Sequence, residues 1–242
     1  MKKRCKIIGI CIISITLVIM AIYSISSYIY DINIYSDWNS YKQGLQIIKI
    51  IEIKESNISN IEKLNFKNIN FKNNFSNFEL SVSNDKAIEY VLKDETGNKR
   101  EIFTILLNDT YINTIINGDL SFASGTLQNL NRNKILKENS ITNDIELIKK
   151  IVENKEKQIN FFDSLSKKKE IFLFKDVALE IFPILQNIEL IEGKFTGYIF
   201  NVNDTMTIIN ILKDDIRYTF QFFGTEINDQ YIYDFLNNLE IN

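Results

Sequence analysis

Apolar and polar positions follow different rhythms along this chain, and the changes of rhythm divide it into parts. From Ile7 to Tyr30 there is no alternation: 24 residues (30 − 7 + 1) pass without a charge. A helix of that length reaches about 36 Å, enough to cross a hydrocarbon core of ~30 Å with some tilt. From Leu64 to Leu107 the period is two. Phe78, Leu80 and Val82 alternate with Glu79, Ser81 and Ser83, Ile88, Tyr90 and Leu92 alternate with Glu89, and Thr96-Gly97-Asn98 supplies a turn before Ile102–Leu107. The stretch between, Leu45–Ile53, is apolar except at Gln46, Lys49 and Glu52, and fits both periods. It is read as a helix leading away from the membrane, with a buried strand as the alternative.

The middle of the chain turns helical. Asp109 is placed to cap a short helix through Tyr111, Ile112, Ile115 and Ile116 that Asn117-Gly118 would stop. Leu120–Ser140 shows no period. Asn143 followed by Glu146 resembles a capping box, and Ile145, Ile148, Val152, Ile159 and Phe162 recur at helical spacing behind it. A second helix is expected over Lys168–Phe182, with Ile171, Phe174, Ala178 and Ile181 inward and Pro183 ending it.

Period two then returns. Asn187–Ile191, Lys194–Val202, Thr205–Leu212 and Ile216–Phe223 read as four strands with connections short enough for an antiparallel meander. In the last of them Tyr218, Phe220 and Phe222 share one face, and Arg217, Thr219 and Gln221 the other. Asn228 can cap a final helix whose stripe of Tyr231, Ile232, Phe235, Leu236 and Leu239 would cover the aromatic face. The two halves also parallel each other. Asn84-Asp85, a strand to Leu92-Lys93-Asp94, a second strand and a helix match Asn203-Asp204, a strand to Leu212-Lys213-Asp214, a strand and a helix. That fits either duplication of a three-strand-plus-helix unit or chance in a chain rich in Asn, Asp and Lys.

The expected fold class is therefore α+β: an N-terminal transmembrane helix, then an external region of antiparallel meanders with packed helices. Its parts are a basic tail at 1–6, the membrane segment at 7–30, a stalk at 31–44, a first α+β half at 45–140 and a second half at 141–242. The second half would hold two helices, the four-strand meander and the C-terminal helix.

Charge orients this arrangement. Lys2, Lys3, Arg4 and Lys6 precede the uncharged run, while Asp31 and Asp37 follow it, which places the N-terminus in the cytoplasm and everything from Asp31 onward outside. Tyr23, Tyr28, Tyr30 and Trp38 lie at the far end, where amphipathic rings favour the headgroup layer. Ser24 and Ser26 have the spacing of a signal-peptidase site, but the run exceeds the roughly 7–15 apolar residues of a secretory leader. Cys11 follows Ile10 rather than a small residue, which argues against a lipoprotein anchor, and Cys5 at the membrane boundary is a conceivable palmitoylation site.

Beyond residue 30 the chain carries 31 acids against 24 bases, the 28 less the four before the run, for a net charge of −7. That balance argues against a general affinity for nucleic acid, anionic lipid or acidic wall polymers, and leaves room for a local basic patch. Both cysteines precede Asp31, so the external part has no disulfide. The excess of Ile, Asn, Lys, Phe and Tyr is that of an AT-rich, bacterial genome.

The chain has no histidine, which removes Ser-His and Cys-His nucleophiles, imidazole bases and His-based metal or haem ligation together. Neither Asp31/Asn33/Asp37 nor Asp204 with Asp214/Asp215 has calcium-loop spacing, and no phosphate-cradling glycine loop occurs. No catalytic, cofactor-binding or metal-ligating residue is assigned. Lys167-Lys168-Lys169 could meet an acidic partner, although a solvated helix start explains it as simply. Phe223 and Tyr233 fall off the apolar faces and are the two rings expected to be exposed. Function then reads as a membrane-anchored extracytoplasmic binding or accessory module for a protein, peptide or envelope component. The alternatives are a carboxylate-based cell-envelope enzyme and an immunity-type protective membrane protein.

Overall fold

The computed structural model describes residues 14–22, 24, 38, 42, 45–54, 63–72, 78–117, 132–160, 162–181, 187–203, 205–224 and 228–242. Residues 14–22 are helical and exposed. The expected span Ile7–Tyr30 lies largely outside the described residues, and among those described no helix is long and apolar enough to cross a membrane.

Among the described residues eleven strands and five further helices follow. They are β1 (Gln46–Ile53), β2 (Lys63–Phe66), β3 (Ile69–Lys72), β4 (Glu79–Ser83), β5 (Ala87–Lys93), β6 (Lys99–Asp109), α1 (Tyr111–Asn117), α2 (Arg132–Glu138), α3 (Asp144–Asn154), α4 (Leu165–Ile181), β7 (Asn187–Gly193), β8 (Thr196–Asn203), β9 (Met206–Lys213), β10 (Ile216–Phe223), α5 (Asp229–Asn237) and β11 (Glu240–Ile241). Eight strands form one sheet in the order β1-β7-β8-β9-β10-β6-β5-β4. All its pairs are antiparallel except β1/β7. A small second sheet, β11-β3-β2, stands apart. The fold is thus mixed α+β with a large, mainly antiparallel sheet. The expected meander β7–β10 forms, and strands from both sides of the helical stretch join in one sheet through β10/β6 and β1/β7.

Leu45–Ile53 is a correction: it forms an edge strand, not a helix. Ile51 and Ile53 are buried against the small-sheet side, while Ile47 packs on the helical side. A bulge between Ile47 and Lys49 shifts the register against β7 and reverses which face each side chain takes. That explains why the sequence favours neither period over the other.

The sheet is covered on both faces. On one lie α1–α4, burying Ile115, Leu147, Ile148, Ile171 and Phe172 against Ile188, Leu190, Tyr198 and Phe200. On the other lie α5 and the small sheet. Phe235 sits among Phe71, Phe103, Phe220 and Phe222 at centroid distances of 6.3, 6.1, 5.1 and 5.1 Å. The stripe on α5 covers the aromatic face as expected, with Ile232, Phe235 and Leu236 buried, while Leu239, expected on the same stripe, is buried just past the helix end. Asn228 accepts from the Tyr231 N–H at 2.9 Å.

Asn143 caps α3 through the Glu146 N–H at 3.0 Å. Glu146 reaches back one residue further than a capping box requires, to the N–H and hydroxyl of Thr142. Those bonds hold its carboxyl below the usual range. Helix α3 ends at Asn154, so Ile159 and Phe162 are not on it: Ile159 is buried in the following loop and Phe162 is 86% exposed. Helix α4 was expected with one inward stripe. Its first turn is exposed, but Ile171–Ala178 is buried all round, Lys175 and Asp176 included, and Lys168 is buried as well. The expected stop at Pro183 lies outside the described residues. Helix α2, in a stretch without period, was not foreseen.

The strand trios β4-β5-β6 and β8-β9-β10 meet at the β6/β10 pair. Phe103 lies opposite Phe222 there, and the same offset (222 − 103 = 119) carries β5 onto β9. The helices after the two trios go to opposite faces, α1 to the helical side and α5 to the other.

Candidate functional site

Two short connections bring the polar chemistry together at one end of the helical face. β9 and β10 are joined by Asp214 and Asp215 alone, both at positive φ (51° and 63°), the backbone of a two-residue hairpin turn that Asp tolerates well. The Asp215 carbonyl accepts from the Thr110 N–H at 3.4 Å, tying this turn to the start of α1.

Asp109, expected to cap α1, is instead the last residue of β6. Its place is taken from two sides. Thr110 Oγ1 accepts from the Asn113 N–H at 3.3 Å. Asp144, the first residue of α3, sends Oδ2 to the Tyr111 N–H and Oδ1 to the Ile112 N–H, both at 3.0 Å. A fully buried carboxylate at a helix N-terminus satisfies two amides that have no intrahelical acceptor. Burial raises the Asp144 carboxyl above its ordinary value, against the lowering effect of the two amides and of Arg217.

Arg217 lies on the face of β10 opposite the aromatic residues, its guanidinium 3.6 Å from the centroid of the Tyr111 ring. Tyr198 on β8 is fully buried beside it, and burial pushes its phenol well up. Its hydroxyl and the Arg217 Nε and Nη1 make no protein hydrogen bond. One row further in, Thr219 donates to Asn210 Oδ1 at 2.8 Å. Asp144, Arg217 and the two tyrosines therefore join α1, α3, β8 and β10, with one formal charge of each sign.

Beside them opens a cleft of ≈210 Å³ walled by Thr110, Asn113, Thr142, Asn143, Thr196 and Lys213, with Asp214 and Asp215 at its rim. Leu212, which also lines it, pairs with both Thr196 and Arg217 across the sheet, so the cleft adjoins the buried charges, none of which lines it. A volume below about 300 Å³ is small for enclosing a free ligand and suits the end of a larger one. Hydroxyl and amide groups offer hydrogen bonding there, while the Lys213 ammonium is engaged elsewhere, donating to the Ile241 carbonyl at 2.7 Å. No family, curated protein or solved structure matches the chain. What the site does must be argued from its own chemistry.

Among the described residues no group of three or more acidic or thiol side chains is arranged to hold a metal ion. Asp214 and Asp215 are the two acids of the turn, and Asp204 is outside the described residues. Of the two rings expected at the surface, Phe223 is 45% exposed, whereas Tyr233 is half-buried against the aromatic core. The lysine run is not a uniformly solvated helix start: Lys167 pairs with Asp163 at 2.6 Å and Lys168 is buried. Trp38 is likewise no free headgroup ring. It is 5% exposed, donates Nε1–H to the Lys155 carbonyl at 3.1 Å and lies under the Lys175 ammonium. The apolar hollow between the end of α3 and the middle of α4 buries more of the indole than a headgroup layer would.

No sequence signal announces this site. Asp144 hides behind the cap signature of Asn143, and Arg217 is simply the polar partner of an aromatic strand until β8 sets Tyr198 beside it.

Proposed function

We propose that this chain is a membrane-tethered extracytoplasmic binding or accessory module, with the cleft beside Asp144, Tyr198 and Arg217 as its contact with a protein, peptide or envelope component. The observation that carries the reading is the uncharged run Ile7–Tyr30 behind Lys2, Lys3, Arg4 and Lys6, with Asp31 as the first acid. It supports a single span with the N-terminus in the cytoplasm. A tether raises the local concentration of a modest binding surface next to the membrane, which offsets a small cleft. Residues 79–109 and 196–223 as copies of one three-strand unit belong to the same proposal, supported by the common offset of 119 (222 − 103) at the Phe103/Phe222 pair.

Protease added to intact cells should remove the region after Asp31 and leave the N-terminus protected. In-cell crosslinking from a photoreactive group at Asn113 should capture a partner that Thr196→Val releases. Protection of the whole chain from protease would remove the tether. Reproducible turnover of an envelope polymer by the purified protein, lost on one Asp or Glu substitution, would replace binding with catalysis.

A further inference from the structure

We propose that the turn between α3 and α4 that carries Phe162 and Leu165 is a membrane-contact surface, seated on anionic lipid headgroups of the bilayer in which the chain is anchored. The inference rests on the tether reading and goes beyond it by fixing which side of the domain faces the lipid.

Tether length is the first ground. If the span ends at Tyr30, eight steps along the chain reach Trp38, no more than about 28 Å when fully extended. Trp38 is not part of a free stalk, because its Nε1–H is bonded to the carbonyl of Lys155 at the end of α3. Lys42 pairs with Glu156 at 2.7 Å and Lys155 Nζ donates to the Leu45 carbonyl at 2.7 Å. The chain thus enters the domain at residues 155–156, on the connection that leads to Phe162. Lys175 lies over the Trp38 ring, and the helix from Lys175 back to Leu165 covers only about 15 Å. The tether is longer than that distance and short enough to keep this side of the domain at the bilayer.

The second ground is the turn itself. Phe162 is 86% exposed and Leu165 50%. The turn beneath them is locked: Asn160 N–H donates to Asp163 Oδ2 at 2.8 Å, Asp163 N–H to the Asn160 carbonyl at 3.1 Å, and Lys167 Nζ to Asp163 Oδ1 at 2.6 Å. Ile159, buried, pins its base. An aromatic ring held outward by a built turn is an apolar contact made ready for another phase.

Charge is the third. Residues 155–169 hold five lysines and two acids, a net of +3 in a region after residue 30 whose net is −7, with Lys168 buried and Lys155 bonded to the Leu45 carbonyl. Lys157 is exposed on the same connection, and Lys167, also exposed, is paired with Asp163. Apolar tips flanked by lysines match an interface where rings enter the acyl boundary and ammonium groups meet lipid phosphates.

The test uses the full chain in vesicles of phosphatidylcholine and phosphatidylglycerol, with Cys5→Ser and Cys11→Ser, and a nitroxide placed by Phe162→Cys, Leu165→Cys or, as a water-exposed reference, Asn98→Cys. Retention through alkaline extraction reports the span separately. The expected result is that nitroxides at 162 and 165 are shielded from a water-soluble relaxant and open to oxygen, relative to 98. This shielding should weaken in phosphatidylcholine alone, with Trp38 emission unchanged throughout. A retained chain whose 162 and 165 labels are as water-accessible as 98 overturns the contact surface and leaves the tether standing. Shielding accompanied by short nitroxide-to-nitroxide distances between copies overturns it in favour of self-association. Loss of the chain on extraction overturns both.

Discussion

Removing the Asp144 carboxylate tests whether the buried charges hold the helical layer on the sheet. Asp144→Ala leaves the amides of Tyr111 and Ile112 without their acceptors, at about 1–3 kcal/mol for each buried group left unpaired. It also deprives Arg217 of the electrostatic support of a nearby carboxylate. Against this stands relief from burying a carboxylate, the effect that raises its pKa, so the expected net loss is about 2–4 kcal/mol. Urea unfolding of the full chain in nanodiscs, followed by Trp38 emission, measures it directly, since Trp38 is the only tryptophan and is packed into the same layer. A loss below about 1 kcal/mol would mean that the amides find other partners and that the cluster is not what holds α1. The pH dependence has a definite sign. A folded-state pKa above the unfolded value means that the folded protein binds more protons between the two, so the Asp144 contribution to stability falls as pH rises from about 3.8, its unfolded value, to the raised folded value. Asp144→Asn lacks this slope. The difference between wild type and Asp144→Asn should therefore be greater in acid than at neutrality, and a difference that shrinks on acidification would refute the assigned direction.

Other substitutions probe the remaining layers. Phe235→Ala should lower stability by about 3–5 kcal/mol, because its ring fills the space among four others from both sheets, and a loss under 1 kcal/mol by the same urea assay would show that the small sheet is not seated there. Gly197→Ala would drive a Cβ into the Asn210 carbonyl, so thermal unfolding should show a loss of β8/β9 pairing, and an unchanged midpoint would contradict the register. Asn143→Ala should weaken α3 by about 1 kcal/mol, while Asn143→Asp should retain most of that stability because it keeps the acceptor for the Glu146 N–H.

Local order was legible wherever one face of an element is buried and the other wet. The strands from Asn187 to Phe223, the turn at Thr96-Gly97-Asn98 and the caps at Asn143 and Asn228 follow from period and side-chain chemistry alone. The rule fails where both faces are covered. Helix α4 is buried all round from Ile171 to Ala178, so Lys175 and Asp176 are carried inside and its single stripe misdescribes it. β1 is bulged, so its apolar residues serve both faces. Long-range pairing decided the rest. Gln46 pairs with Asn187 and Phe103 with Phe222, contacts whose partners are chosen by the hydrophobic faces they complete and not by any neighbour in sequence. The candidate site has the same origin. Asp144, Tyr198 and Arg217 are scattered along three elements, and each alone resembles an ordinary helix start or strand residue. Only when α1 and α3 close over β8 and β10 does burial turn them into one electrostatic unit, because the energies that couple charges grow as water is removed from between them.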